Sequence, residues 1–438
     1  MSESTSIMNH PVIAREGSVH RTLAWAVVMV AALFFFYEFI QMHVMSTINM
    51  QLREAYRLNA EEIGQLFAMY FYANALFLFP VGNLIDRYST RKLLLFAVSI
   101  CTFGTFLFSI ATAYWIAAIG RCCVGAGAAF CFLSCIRLAS RWFPPNRMAF
   151  VMGAVVTMAM FGGMIAQTPF SLLVDYLGNW RNALLVDTAL GVIIFLAIML
   201  IVQDRPPDSG DAAQSDQAML KQLGVLRCMK MAWFNPQNWL CAIYTSFINL
   251  PVFILGGLWG VPYLMKVHGL SATEGSYANS VFFIGVIAGS LIYGWISDHI
   301  ERRVSPMIVG AILSLIVMLS VMYLPGLSLW SIIALFFLLG LVTSSQILTY
   351  PTIAELNPIY ITSTAVSIDS IFIMISGFLA PPFFGWLMEQ GGHHATANGL
   401  TVYSIADFGR AMWLFPITMA LGLVIAFFIR ETRCRAQA

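Results

Sequence analysis

The chain has 438 residues, is 59% hydrophobic and 10% charged, with a mean hydropathy of +0.80. A soluble domain carries roughly a quarter charged residues, and a core able to hide this much apolar surface from water is excluded on surface-to-volume grounds. Lipid is therefore the solvent for most of the chain and no nucleic-acid partner is expected; the net charge of +2 says little by itself, and the placement of the charges says more.

A polar tail, residues 1–21, precedes a long apolar run that contains Glu38 and has no small-residue cleavage pattern, so it is expected to be a retained first helix. Crossing a bilayer takes about 20 apolar residues. Twelve segments qualify, at roughly 22–47, 62–84, 93–112, 114–139, 148–174, 182–202, 238–264, 276–297, 304–324, 328–352, 361–388 and 408–430. The runs are continuous rather than alternating, which indicates helices and not barrel strands. The expected fold class is an all-α membrane protein. Of 23 Lys and Arg, four (Arg53, Arg57, Arg181, Lys266) fall in one set of alternate loops and two (Arg121, Arg410) inside spans. The other 17 fall on the opposite side with both termini, which the positive-inside rule makes cytoplasmic.

The eight cysteines do not form a disulfide framework or metal-ligand spacing, and those of the fourth segment are expected to be buried small hydrophobes. No nucleophile–base motif, phosphate loop or metal cluster appears, so neither enzymatic activity nor a cofactor is expected. Residues 203–237 are Pro-, Asp- and Gln-rich, then amphipathic: a cytoplasmic linker with one surface helix.

Two stretches align without a gap at an offset of 212. Leu58 meets Leu270, Glu62 meets Glu274, Gly82 meets Gly294, Asp86 meets Asp298 and Arg91 meets Arg303; Pro169 meets Pro381. The chain therefore divides into two similar six-span bundles, 22–202 and 238–430, followed by a short tail, 431–438. Parallel halves related by an axis along the membrane normal are a transporter architecture.

The loop Gly82-Asn-Leu-Ile-Asp86-Arg87-Tyr-Ser89-Thr-Arg91-Lys92, together with the span count and the repeat, resembles the major facilitator superfamily, whose signature there is G-x-x-x-D-R-x-G-x-R-R/K; Ser89 stands in place of the glycine. Arg121, Gly125, Gly127, Ala128 and Ala129 resemble a second family motif on the fourth helix. The antiporter signature of the fifth helix is not present, which leans against a drug/proton exchanger. The resemblance implies a pseudo-symmetric pair of bundles around a cavity, with Asp86 against the start of the eleventh helix. It also implies a cytoplasmic latch made of Gly82, Asp86, Arg87 and Arg91, with Asp298, Arg303, Arg137 and Arg141 as partners.

A charge at mid-membrane costs about 2.5–3.5 kcal/mol on the lenient insertion scale, so each one calls for a reason. Glu38 in the first span is expected to carry the coupling proton, with Asp369 of the eleventh as a second such site. Arg121, at similar depth, is expected to pair with Glu38 or clamp a substrate carboxylate. Gln41, Tyr70, Asn74, Gln167, Tyr244, Asn249, Gln346 and Tyr350 form the expected solute pocket, each also readable as a helix–helix bond. Asp187 is expected to be structural, His43 to be packing, and His393-His394 to be solvated. These residues point to a monomeric plasma-membrane transporter, proton-coupled and importing a small charged or zwitterionic solute such as an amino acid, short peptide or organic acid. An exporter of a siderophore, drug or metabolite is the alternative.

Overall fold

The computed structural model describes the backbone of residues 18–143, 148–205, 225–324, 326–357, 362–390, 395–397 and 400–435; within these, side chains are described except at 18–21, 79, 82–83, 86–87, 148–150, 225–229, 362–364, 395–397 and 400. The N-terminal half contains α1 (Ser18–Thr47), α2 (Asn49–Tyr56), α3 (Ala60–Arg87), α4 (Thr90–Ile110), α5 (Tyr114–Ala128), α6 (Cys131–Trp142), α7 (Met148–Ile165), α8 (Thr168–Leu177) and α9 (Trp180–Ile201). The linker contributes α10 (Val225–Phe234). The C-terminal half contains α11 (Pro236–Pro251), a π-helical segment (Val252–Trp259), α12 (Gly260–His268), α13 (Ala272–His299) and α14 (Val304–Tyr323). It continues through α15 (Leu329–Thr343), a 3-10 turn (Ser344–Leu348), α16 (Thr349–Leu356), α17 (Thr362–Glu389), α18 (Ile405–Met412) and α19 (Leu414–Ala426).

Eleven of these stretches are long and apolar enough to cross a membrane. The second span, α3, completes the twelve with 28 residues. Pairs such as α5 and α6, or α7 and α8, are one span with an irregular joint. An unexpected feature is a small antiparallel hairpin between the last two spans, β1 (Ala395–Ala397) with β2 (Leu400–Val402), in the register Ala395 to Val402.

The repeat is visible in the caps. Asn59 accepts from the Glu62 N–H at 2.7 Å and starts the second span. Ser271, 212 residues on, accepts from the Glu274 N–H at 3.2 Å and starts the eighth. Both are reciprocal capping boxes, each satisfying two of the four N–H groups that a helix start leaves open.

The motif around Arg121 has a packing cause. A Cβ on Gly125 would lie 2.0 Å from the Tyr70 carbonyl oxygen. Only glycine lets the fourth span approach the second this closely, and Arg121, one turn before Gly125, then lies over the Tyr70 ring at 5.3 Å. Gly285 has the same use in the other half, where a Cβ would meet the Phe337 carbonyl oxygen at 2.1 Å.

The end of the molecule that holds the loops after the second, fourth and eighth spans is called the basic end below, and the opposite one the far end.

Candidate functional site

The first span carries Glu38 and Gln41 into the N-terminal half, where they are 3% and 1% exposed. Arg121, from the fourth span, is fully buried beside them. One of its N–H groups donates to the Gln41 backbone oxygen at 2.6 Å. Its guanidinium lies 6.0 Å from the ring centres of Phe67 and Phe108. Nε and the second terminal nitrogen have no partner, nor has Glu38 Oε2 or the Tyr70 hydroxyl. Arg121 is the charge whose field reaches Glu38, but no ion pair joins the two. A guanidinium with two idle donors in an apolar setting is costly unless something else pairs with it.

The side chain of Gln41 donates to Asp187 on the sixth span. The residue expected to be merely structural thus touches a candidate site residue. Asn74 is buried one turn beyond Tyr70.

In the C-terminal half Asp369 is completely buried. Its Oδ2 accepts from Thr349 Oγ1 at 3.3 Å, Thr349 lies 2.6 Å from the Thr245 hydroxyl, and Oδ1 has no partner. Tyr350 stands beside it. Gln346 donates to Asn249 at 2.6 Å, joining the tenth and seventh spans. Tyr244 donates to the Met307 carbonyl at 2.8 Å and lies 3.1 Å from the Ser345 hydroxyl, so it ties three spans of one bundle.

Gln167 lies elsewhere, in the contact between the halves at the far end. It donates to the Gly256 carbonyl at 2.9 Å and accepts from Asn279 at 3.1 Å. The acceptors there are oxygens of the π-helical segment. Asn49 donates to Leu258 at 3.0 Å and Asn279 to Leu255 at 3.0 Å. Pro251 lacks an N–H, and the wider π turn frees carbonyls that lipid could not satisfy. Gln167 and Asn49 of the opposite half and Asn279 of the same half satisfy them instead.

Farther out, Arg53 donates to the Thr401 carbonyl at 2.5 Å and lies 4.8 Å over the Tyr403 ring. The Tyr403 hydroxyl donates to Glu389 at 2.9 Å and accepts from the Ala60 N–H at 2.6 Å. Burial lowers the Arg53 pKa from its ordinary value, and the fields of Tyr403 and Glu389 raise it in part. Sequence reasoning took Arg53 only as a loop cation. A signal for it was the cation's place in the sparsely charged set of loops.

Of the expected latch residues, Arg91, Arg141, Asp298 and Arg303 make described bonds within their own halves. The Arg91 N–H donates to Asp204 at 2.9 Å, and Arg141 lies 4.0 Å from the same carboxylate. Ser89, which replaces the family glycine, caps the third span by accepting from Lys92 N–H at 3.2 Å, and its hydroxyl donates to Asp204 at 2.5 Å. In the other half Arg303 pairs with Asp298 at 2.7 Å and Glu355 at 2.8 Å. Glu431 accepts from the backbone N–H groups of Arg303 and Val304 at 2.7 and 3.0 Å. Arg137 sits half-buried near the end of α6. The side chains of Gly82, Asp86 and Arg87, and all of His393 and His394, lie outside the described residues. Asp204 and Glu431 were missed, although an acid just after the last apolar residue of the sixth and twelfth spans, in an otherwise basic region, was a legible signal.

Among the described residues no group of His, Cys, Asp and Glu is arranged to hold a metal. Cys101, Cys131, Cys135 and Cys241 are buried.

The family model for the Major Facilitator Superfamily matches residues 27–259 and again 242–437, one match for each half. The chain belongs to this superfamily. Among its relatives, the putative transporter AraJ of Escherichia coli K12 is 27% identical over 266 residues, a stretch covering 60% of each chain. The D-galactonate transporter of E. coli O6:H1 is 21% identical over 341 residues, covering 71% of this chain and 76% of that one. The crystal structure of a D-xylose–proton symporter superposes with a TM-score of 0.72 at 13% identity, over 94% of this chain and 99% of the other. The protein is therefore an integral multi-pass membrane transporter of the superfamily, and not an enzyme.

Proposed function

We propose that this transporter moves a small organic anion or zwitterion, held by its carboxylate, into the cell together with a proton. The observation that carries this reading is Arg121, buried against Tyr70 with two N–H donors idle. The fork of a guanidinium matches a carboxylate in two parallel bonds, and burial makes such a bond worth more than at a surface. A relative named for D-galactonate, a sugar acid, supports an anionic cargo. Glu38 is the proton carrier in this reading. Protonated, it leaves Arg121 free for cargo; ionised, it competes for the same cation. Asp369 is the second acid, in the opposite half. The basic end and both termini face the cytoplasm, in line with the cation bias, and the protein works as a monomer in a plasma membrane.

Uptake into proteoliposomes tests this. An inward proton gradient should drive accumulation of D-galactonate or a related acid, and Glu38→Gln should abolish accumulation while leaving exchange. Accumulation that ignores the gradient would remove the coupling, and uptake of neutral sugars in preference to acids would remove the cargo class.

A further inference from the structure

The membrane-buried part of the N-terminal half holds two carboxyl groups and one guanidinium. Glu38, Asp187 and Arg121 are each at least 95% buried, and Cys101 lies within electrostatic reach of all three. Gln41 stands at the centre, its side chain on Asp187 and its backbone oxygen on Arg121. Among the described residues nothing else nearby supplies a second positive charge. His43 is fully buried, its Nδ1 bonded to the Phe39 oxygen at 2.9 Å and its Nε2 without a partner, so a second ring proton would point at no acceptor. The other titratable groups facing Asp187 are Tyr37 of the first span and Cys101 of the third, both neutral at ordinary pH. The second part of the fifth span offers only Asp175 and Tyr176, exposed at the far end.

Two ionised acids and one cation would leave a net negative charge in lipid. A buried uncompensated charge is removed most cheaply by protonation. We propose that Glu38 and Asp187 hold one proton between them, and that Asp187 is a positioning residue which, through Gln41, decides whether Glu38 or the cargo engages Arg121. With Asp187 ionised it takes the Gln41 amide N–H and balances Arg121 from a distance, so Glu38 keeps the proton and the Arg121 donors stay open. When Asp187 takes the proton, Glu38 becomes the counter-ion of Arg121. The proton moves from one carboxyl oxygen to the other and no other bond changes. The proposal rests on the reading of Glu38 as proton carrier and adds the group that shares the load.

Infrared difference spectra of the purified full-length protein, recorded without any solute across pH, test it. Wild-type protein at neutral pH should carry a protonated-carboxyl band that is missing from Asp187→Asn and equally from Glu38→Gln, because either remaining acid ionises to balance Arg121. The double variant should lose no more than one carboxyl's intensity. A band lost in just one of the single variants, or two carboxyls' intensity lost in the double, would overturn the sharing and return Asp187 to a structural role. Asp187→Ser replaces the asparagine variant if that one does not insert. The spectra need no transport, so a failure of proton-coupled uptake and a failure of the shared proton are read separately.

Discussion

Arg121 is fixed by one backbone acceptor and three aromatic rings, which hold the plane of the guanidinium while leaving two donors free. A lysine there keeps the charge but not the fork or the stacking. Hydrogen bonds to charged groups are worth about 1.5–3 kcal/mol, so Arg121→Lys is expected to raise KM for an acidic solute about tenfold to a hundredfold. Uptake kinetics check this, and an unchanged KM would take the cargo away from Arg121. Glu431 makes a residue-scale prediction outside the membrane. Burial raises its pKa, but the N–H groups of Arg303, Arg433, Val304 and Ser305 outweigh that, so the net shift is downward from the ordinary 4.5. The sign follows. The carboxylate form is favoured in the folded state, so its contribution is complete above about pH 4.5 and is lost as pH falls through the lower folded value. Thermal melts between pH 7 and 3 should show Glu431→Gln costing stability at neutral pH and the difference from wild type closing at the acid end.

At the scale of elements, the π-helical part of the seventh span is the clearest case of structure hidden from the sequence. A proline such as Pro251 inside a span bends a helix, but it does not say which way the helix deforms or which groups satisfy its carbonyls. The acceptors are backbone atoms and their donors come from other spans, Gln167 and Asn49 from far off in the chain, so no pattern of residue types records the match. Gln167 illustrates the consequence. A polar residue in a span reads equally as pocket or as joint, and here it bonds Gly256 across the halves. The twelve spans and the repeat were legible because apolar runs and a gapless alignment are written in the chain itself. The pairing of Gln41 with Asp187 was not, since residues 146 apart in sequence meet only through the packing of the first span on the sixth. If Gln167 and Asn49 hold the far end shut, losing one bond of about 0.5–1.5 kcal/mol shifts the population of closed molecules by about twofold to tenfold. A thiol at Ser280→Cys, now covered by Thr168, should react faster with an impermeant maleimide when Gln167 is changed to Leu. Equal rates would mean the amide is not part of the closure.

For the whole molecule, the distribution of bonds between the halves matters more than any one of them. Among the described residues those bonds gather at the far end, from Ser46, Asn49, Arg53 and Ala60 on one side of the N-terminal half to Gln167, Thr168 and Asp175 on the other. At the basic end the described ion pairs tie each half to itself: Asp204 collects Arg91 and Arg141, while Glu355 and Glu431 collect Arg303 and its backbone. Among the described residues, each half is thus braced internally at the basic end, and the hydrogen bonds between the halves lie at the far end. In the transport cycle proposed above, cargo moves when the halves part at the far end as a pair of rigid bodies. Asp175 and Thr273 make the test direct, because their contact is open to solvent, they belong to opposite halves and they touch at 3.1 Å. Cysteines at both positions, bridged by a short bifunctional thiol reagent, should stop uptake almost completely, whereas either cysteine alone, treated the same way, should leave it near the wild-type rate. A cleavable bridge should restore uptake when cut. Transport that continued with the bridge in place would mean that the halves do not separate there, and that cargo passes without the rocking motion on which the roles given to Arg121 and Glu38 depend.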